Sequence, residues 1–93
     1  MADSNYEFKA VPTFWKAFNE LSAEQKDSAR NAFKTFKSDP FHRSLKTHKI
    51  NRLTALMKRA VYAVVIEGNL RAVFVVKGNQ VISFDIGTHD IYK

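Results

Sequence analysis

Three histidines, His42, His48 and His89, are the side chains of this sequence best suited to moving protons near neutral pH, because an unperturbed imidazole titrates at about 6.5. His42 and His48 lie inside a basic stretch. His89 follows an apolar run directly, in Asp85-Ile86-Gly87-Thr88-His89-Asp90-Ile91-Tyr92. Arg71 opens a run that is otherwise apolar, so its charge must reach solvent, a carboxylate such as Asp85 or Glu67, or a ligand phosphate. Tyr92 can stack on a nucleobase or offer its hydroxyl, or else pack against a neighbouring sheet.

Such groups suit the cleavage of RNA, in which the 2′-hydroxyl attacks its own neighbouring phosphate. The protein must remove one proton, return another to the leaving 5′-oxygen, and neutralise charge building on the phosphoryl oxygens. His48, His89 and Arg71 are the candidates, and no metal or cofactor is required. The competing reading makes both histidines ordinary surface residues and pairs Arg71 with an acid. Asp39, His42 and His48 lack the spacing of recognised metal ligands. Phosphate-binding glycine loops, serine nucleophile elbows and zinc-protease helix motifs are missing from the sequence.

Charge narrows the partner. The chain carries a formal net charge of +6, and residues 30–59 hold nine basic residues against Asp39 alone. A block of this kind concentrates polyanions near it and is screened by salt. Nucleic acid is the first partner class implied, an acidic protein segment the second, and a merely solvated basic face the alternative.

Ninety-three residues suffice for one domain, residues 1–93, which removes only about 60–65% of its unfolded surface from water. Hydrophobic residues make up 45%, including eight Phe and one Trp, against three Gly and two Pro; this composition excludes disorder as the main state. Cysteine is absent, which removes disulfides and thiolate chemistry and fits a reducing compartment. The longest uncharged apolar stretch, Ala60–Ile66, is far short of a bilayer span, and the charged Met1–Ala10 does not read as a signal peptide. A cytoplasmic protein with no membrane contact is expected.

The elements that must position these groups can be read from periodicity. Asn5–Val11 alternates as a strand, and Pro12 suits the opening of a helix. Phe14, Trp15, Phe18 and Leu21 recur at helical spacing and are expected in the core, and Ser22-Ala23-Glu24-Gln25 has the form of a capping box. In a second helix Ala29, Ala32, Phe33 and Phe36 share one side and Lys26, Arg30, Lys34 and Lys37 the other, until Ser38-Asp39-Pro40 ends it. Val61–Glu67, Leu70–Lys77 and Val81–Ile86 read as strands joined at Gly68-Asn69 and Gly78-Asn79-Gln80. Ala72, Phe74 and Val76 fall on one side of the middle strand, and Arg71, Val73 and Val75 on the other. Phe41–Met57 has no clean period and reads as a long connection with a short strand or turn near Ile50–Met57. The order β-α-α-β-β-β, a helical hairpin packed on one face of an antiparallel sheet, is an α+β design.

These residues resemble the RelE/ParE superfamily of bacterial toxins. The likeness is carried by Tyr62-Ala63-Val64-Val65-Ile66, by Asn69-Leu70-Arg71-Ala72-Val73-Phe74, and by Val81 to Asp90 with its Gly87-Thr88-His89-Asp90 ending. Asp39-Pro40 … Ser44-Leu45 … His48-Lys49-Ile50 is similar to that family's connection after the helical hairpin. The subgroup indicated is that of RelE and YafQ toxins, which cut messenger RNA in the ribosomal A site and are held inactive by a cognate antitoxin. The resemblance implies a RelE-like fold, an endoribonuclease, and mRNA, ribosome and antitoxin as partners. It places Arg71 on the scissile phosphate, His48 and His89 in proton transfer, and Tyr92 near the nucleobase. Arg43, Lys46, Lys49, Arg52, Lys58 and Arg59 would meet RNA phosphates. The ParE branch, whose members inhibit DNA gyrase without nuclease chemistry, and an inert RNA- or antitoxin-binding domain are the alternatives. Thr54-Ala55-Leu56-Met57 stands where related chains place a Gly, and one residue, Ile91, separates Asp90 from Tyr92 where related endings have two.

Overall fold

The computed structural model describes residues 6–88. Its elements, in chain order, are β1 (Glu7–Ala10), α1 (Pro12–Asn19), α2 (Ala23–Ser38), a 3-10 turn (Arg43–Leu45), β2 (His48–Lys49), α3 (Asn51–Met57), β3 (Val61–Glu67), β4 (Leu70–Lys77) and β5 (Gln80–Thr88).

Each boundary has a local cause. Pro12 occupies the first turn of α1, where its missing N–H costs nothing and its fixed φ is already helical. At the start of α2 the capping box forms: Gln25 N–H donates to Ser22 Oγ at 3.1 Å and Ser22 N–H to Gln25 Oε1 at 3.0 Å. Asp39, in extended conformation, ends α2 one residue before Pro40. The β3–β4 and β4–β5 hairpins turn through Gly68 and Gly78, at φ +46° and +60°, the sign that the first position of a II′ turn demands. Asn69 and Asn79 have no positive φ, which fits that turn type.

The strands form one sheet in the order β1-β5-β4-β3-β2. The meander β3–β4–β5 and the short β2 are antiparallel, as expected, but β1 joins parallel to β5. A parallel neighbour needs a long crossover, and the α1–α2 hairpin supplies it. On that hairpin's side of the sheet lie Phe14, Phe18, Ala29, Phe36, Val64, Ala72, Phe74, Val81 and Ile86. Phe74, 1% exposed, is the hub: its ring centroid lies 5.0 Å from Phe36 and 5.5 Å from Tyr62, edge and offset contacts that each add about 0.5–1.5 kcal/mol to simple burial.

Two expectations are corrected. Trp15 is not core: it is 50% exposed, leaning edge-on to Phe14 and Phe18. Phe14 and Phe18, four apart, take the inward stripe of α1, and Trp15 stands a further 100° around the helix. The segment near Ile50–Met57 is a helix rather than a strand or turn, and the short strand precedes it. Helix α3 lays Leu53 on a second, smaller core made of Ile50, Val61, Ala63, Val73 and Val75 on the opposite sheet face, with Ile82 and Phe84 packed against it. The sheet is thus covered on both sides, on one by α1–α2 together with Leu45 and on the other by α3. No helix among the described residues is long and apolar enough to cross a membrane.

Candidate functional site

The polar residues of the second face border its core: Ala63 and Val73, between His48 and Asp85 in one row, are buried. Residues opposite one another across a ladder share a face. His48 opposes Ala63, Ala63 opposes Val73, and Val73 opposes Asp85. In the next row Val65 opposes Arg71, which opposes Gly87. His48, Arg71 and Asp85 therefore share one surface, with Arg71 on a strand between the other two. Three inter-strand spacings put roughly 14 Å between the Cα atoms of His48 and Asp85.

A loop held by its own polar groups delivers His48. Asp39 Oδ1 accepts from Phe41 N–H at 3.0 Å, Thr47 Oγ1 donates to the Pro40 carbonyl at 2.6 Å, and Lys46 turns the chain in the left-handed region at φ 48°. His48 Nδ1 lies 2.9 Å from the Lys46 carbonyl. A carbonyl only accepts, so Nδ1 carries a proton and the lone pair of the neutral ring is on Nε2. His42 does something else: its Nδ1 accepts from Ser44 N–H at 3.1 Å and caps the 3-10 turn.

Arg71 makes neither of the ion pairs open to it. Its Nη1 donates to the Gly68 carbonyl at 2.5 Å and reaches the Leu70 carbonyl at 3.3 Å, while its buried Nε has no partner among the described residues. Glu67 instead accepts from Ser28. The guanidinium is thus moored over the β3–β4 turn, with donors left for a planar anion such as a phosphate.

Asp85 is the functional candidate that residue patterns did not assign. The β4–β5 register shifts between Val73 and Phe74, so that Phe84 and Asp85 both sit opposite Val73 as a β-bulge. Strict alternation would have turned Asp85 toward α1–α2; the bulge turns it toward Arg71. One oxygen accepts from Ile86 N–H at 2.9 Å. Burial pushes the Asp85 carboxyl above its ordinary range, and the Ile86 N–H partly offsets this. The available sequence signal was an acid in an apolar strand, a residue that strands disfavour.

Arg43, Lys46, Lys49, Arg52, Lys58 and Arg59 are all exposed, spread over the 3-10 turn, β2, α3 and the link to β3. Lys49 opposes Tyr62, which packs on the α1–α2 side, so within β2 it points to the face opposite His48. His89 and Tyr92 lie outside the described residues. Among the described residues no three His, Cys, Asp or Glu gather to hold a metal ion. A separate open groove of about 200 Å³ lies between β1, α1 and α2, lined mainly by Phe8, Phe14, Trp15, Phe33 and Phe36, with Lys9 and Lys37 at its rim.

Solved structures of other proteins share this architecture. RelE in the archaeal RelE–RelB complex from Pyrococcus horikoshii superposes with a TM-score of 0.69 at 13% identity, over 94% of this chain and 98% of that one. The fold is RelE-like. A copper-bound mutant toxin from Helicobacter pylori matches with a TM-score of 0.61 at 15% identity, over 91% of this chain and 96% of that one. No family model and no curated protein matches the sequence. The RelE-like fold and the α+β layering expected from the residues are therefore both found, and the extra helix α3 occupies the position where related chains were expected to have a Gly.

Proposed function

We propose that this protein is the toxin of a toxin–antitoxin pair and acts as a ribosome-dependent endoribonuclease on messenger RNA. The observation that carries the reading is Arg71: a cation in an apolar strand, moored on backbone carbonyls rather than on an acid, on the face of a RelE-like sheet opposite α1–α2. Arg71 binds the scissile phosphate and stabilises the charge that develops there. His48 and His89 move protons, and Tyr92 meets the nucleobase. The six exposed cations Arg43, Lys46, Lys49, Arg52, Lys58 and Arg59 contact RNA phosphates, which supplies affinity without sequence preference and makes binding fall steeply with salt.

The antitoxin is an acidic segment that folds on binding. Support for its docking site comes from the groove between β1, α1 and α2, where Phe14, Trp15 and Phe33 offer an apolar floor and Lys9 and Lys37 a basic rim. The RelE of the Pyrococcus structure is itself seen in complex with RelB.

The test is induction in bacteria, followed within minutes by mapping of new 5′-hydroxyl RNA ends, for the wild type beside His48→Ala and Arg71→Ala. Cuts phased with codons that vanish in both variants are the expected result. Growth arrest without new RNA ends would move the reading to gyrase inhibition, and no arrest would leave a basic binding domain.

A further inference from the structure

We propose that Asp85, in place of one of the two histidines, is the base that takes the proton from the attacking 2′-hydroxyl, an assignment that rests on the nuclease reading above and leaves His48 as the acid. The first support is the bulge. An extra residue in β5 interrupts the ladder, and its effect is to bring a carboxylate onto the face that carries Arg71 and His48. The second is what Asp85 leaves undone. Arg71 is its diagonal neighbour across β4–β5, a distance that a long side chain spans, yet the guanidinium turns to Gly68 and Leu70 instead. The Asp85 carboxylate has one partner among the described residues, the N–H of Ile86. A cation and an anion side by side and unpaired are bridged by a group with both an anionic and a donor end, and an RNA linkage has both: phosphoryl oxygens for Arg71 and the adjacent 2′-hydroxyl for Asp85. Burial, which raises the affinity of Asp85 for a proton, makes it a stronger base than an exposed carboxylate.

In the step, the second carboxylate oxygen of Asp85 takes the 2′ proton as the 2′-oxygen bonds to phosphorus. The bond from phosphorus to the 5′-oxygen breaks, and that oxygen takes a proton from the His48 imidazolium. The products are a 2′,3′-cyclic phosphate and a 5′-hydroxyl, with no net change in protons. Arg71, on β4 and so between β5 and β2 in the sheet, holds the phosphate between acid and base. The roughly 14 Å between the Cα atoms of His48 and Asp85 suits two side chains leaning in on an in-line displacement from opposite sides.

Asn at position 85 tests this cleanly, because its carbonyl oxygen still accepts from Ile86 N–H and keeps the bulge while the base is gone. The full-length protein is assayed on programmed ribosomes for single-turnover cleavage, for binding to the same message carrying a 2′-deoxy nucleotide at the cut, and for melting temperature. Asp85→Asn is expected to cleave at least about 100-fold more slowly, with binding unchanged and no loss of melting temperature. Cleavage within about threefold of wild type overturns the proposal and leaves Asp85 as a bulge clasp. Should the Asn variant not fold, Asp85→Glu decides: it keeps a carboxylate but displaces it, so cleavage drops at least about tenfold with binding intact, and full-rate cleavage overturns the assignment. A wild-type protein that leaves no 2′,3′-cyclic ends refutes the nuclease reading itself, before any variant is compared.

Discussion

Replacing Arg71 by Met should separate function from stability. In the folded protein the guanidinium has one good hydrogen bond, from Nη1 to the Gly68 carbonyl at 2.5 Å, and one long contact to the Leu70 carbonyl at 3.3 Å. A hydrogen bond of a charged group contributes about 1.5–3 kcal/mol. Against it stands the buried Nε, without a partner among the described residues, which costs about 1–3 kcal/mol. Met retains an unbranched apolar stem on the strand and removes both terms together, so the net change in stability should be within about 1 kcal/mol, a shift of no more than about 8 °C in melting temperature for a domain of this size. Catalysis has no such compensation. Losing a donor to the developing phosphoryl charge costs about 2.7–4 kcal/mol, or 10²–10³ in rate. The assay pairs thermal unfolding with single-turnover cleavage of ribosome-bound message, expressed per folded molecule. A variant that loses about 3 kcal/mol or more of stability while cleaving normally would show that Arg71 is a structural pin and that the reasoning from its unmatched donors is wrong.

Other consequences are open to direct measurement. Ser22→Ala breaks the capping box of α2 and should lower stability by about 1 kcal/mol, read as an earlier urea midpoint; an unchanged midpoint means that packing alone holds the α1–α2 corner. Lys58, which ends α3 in the left-handed region at φ 56°, should gain about 0.5–1 kcal/mol on replacement by Gly, and a loss would show that its side chain anchors the turn. Asp85 carries a pH signature. Its folded pKa is raised above the ordinary 3.8 by burial, so its contribution to stability is fully present below that value and is lost as pH rises through the folded pKa. Asp85→Asn should therefore melt higher than wild type at pH 7, with the gap closing as pH falls below 3.8; a gap that widens on acidification contradicts the assignment of burial as the cause.

Local rules determined much of this protein. Strand alternation placed Ala72, Phe74 and Val76 on one face and Arg71, Val73 and Val75 on the other, and the two cores divide the apolar members of these sets in that way. The capping box, the proline that opens α1, the Gly-Asn turns and the Ser38-Asp39-Pro40 stop each act through neighbours a few residues away, which makes them legible from sequence. Long-range packing decided the rest. Seven residues from Asn51 to Met57 are too few to form a helix alone in water; α3 exists because Leu53 finds the second sheet face and Thr54 Oγ1 accepts from Val61 N–H at 3.0 Å. Trp15 has the composition of a core residue but stands on the wrong meridian of α1, a fact that only the angle of docking on the sheet reveals. Composition and spacing nominated Arg71 and His48, since a cation in an apolar strand and a histidine among cations are anomalies in one dimension. Whether they share a surface depends on strand order and register, and the orientation of Asp85 depends on a single bulge in β5. Those are pairings between residues far apart in the chain, where a shift of one position moves a side chain to the opposite face.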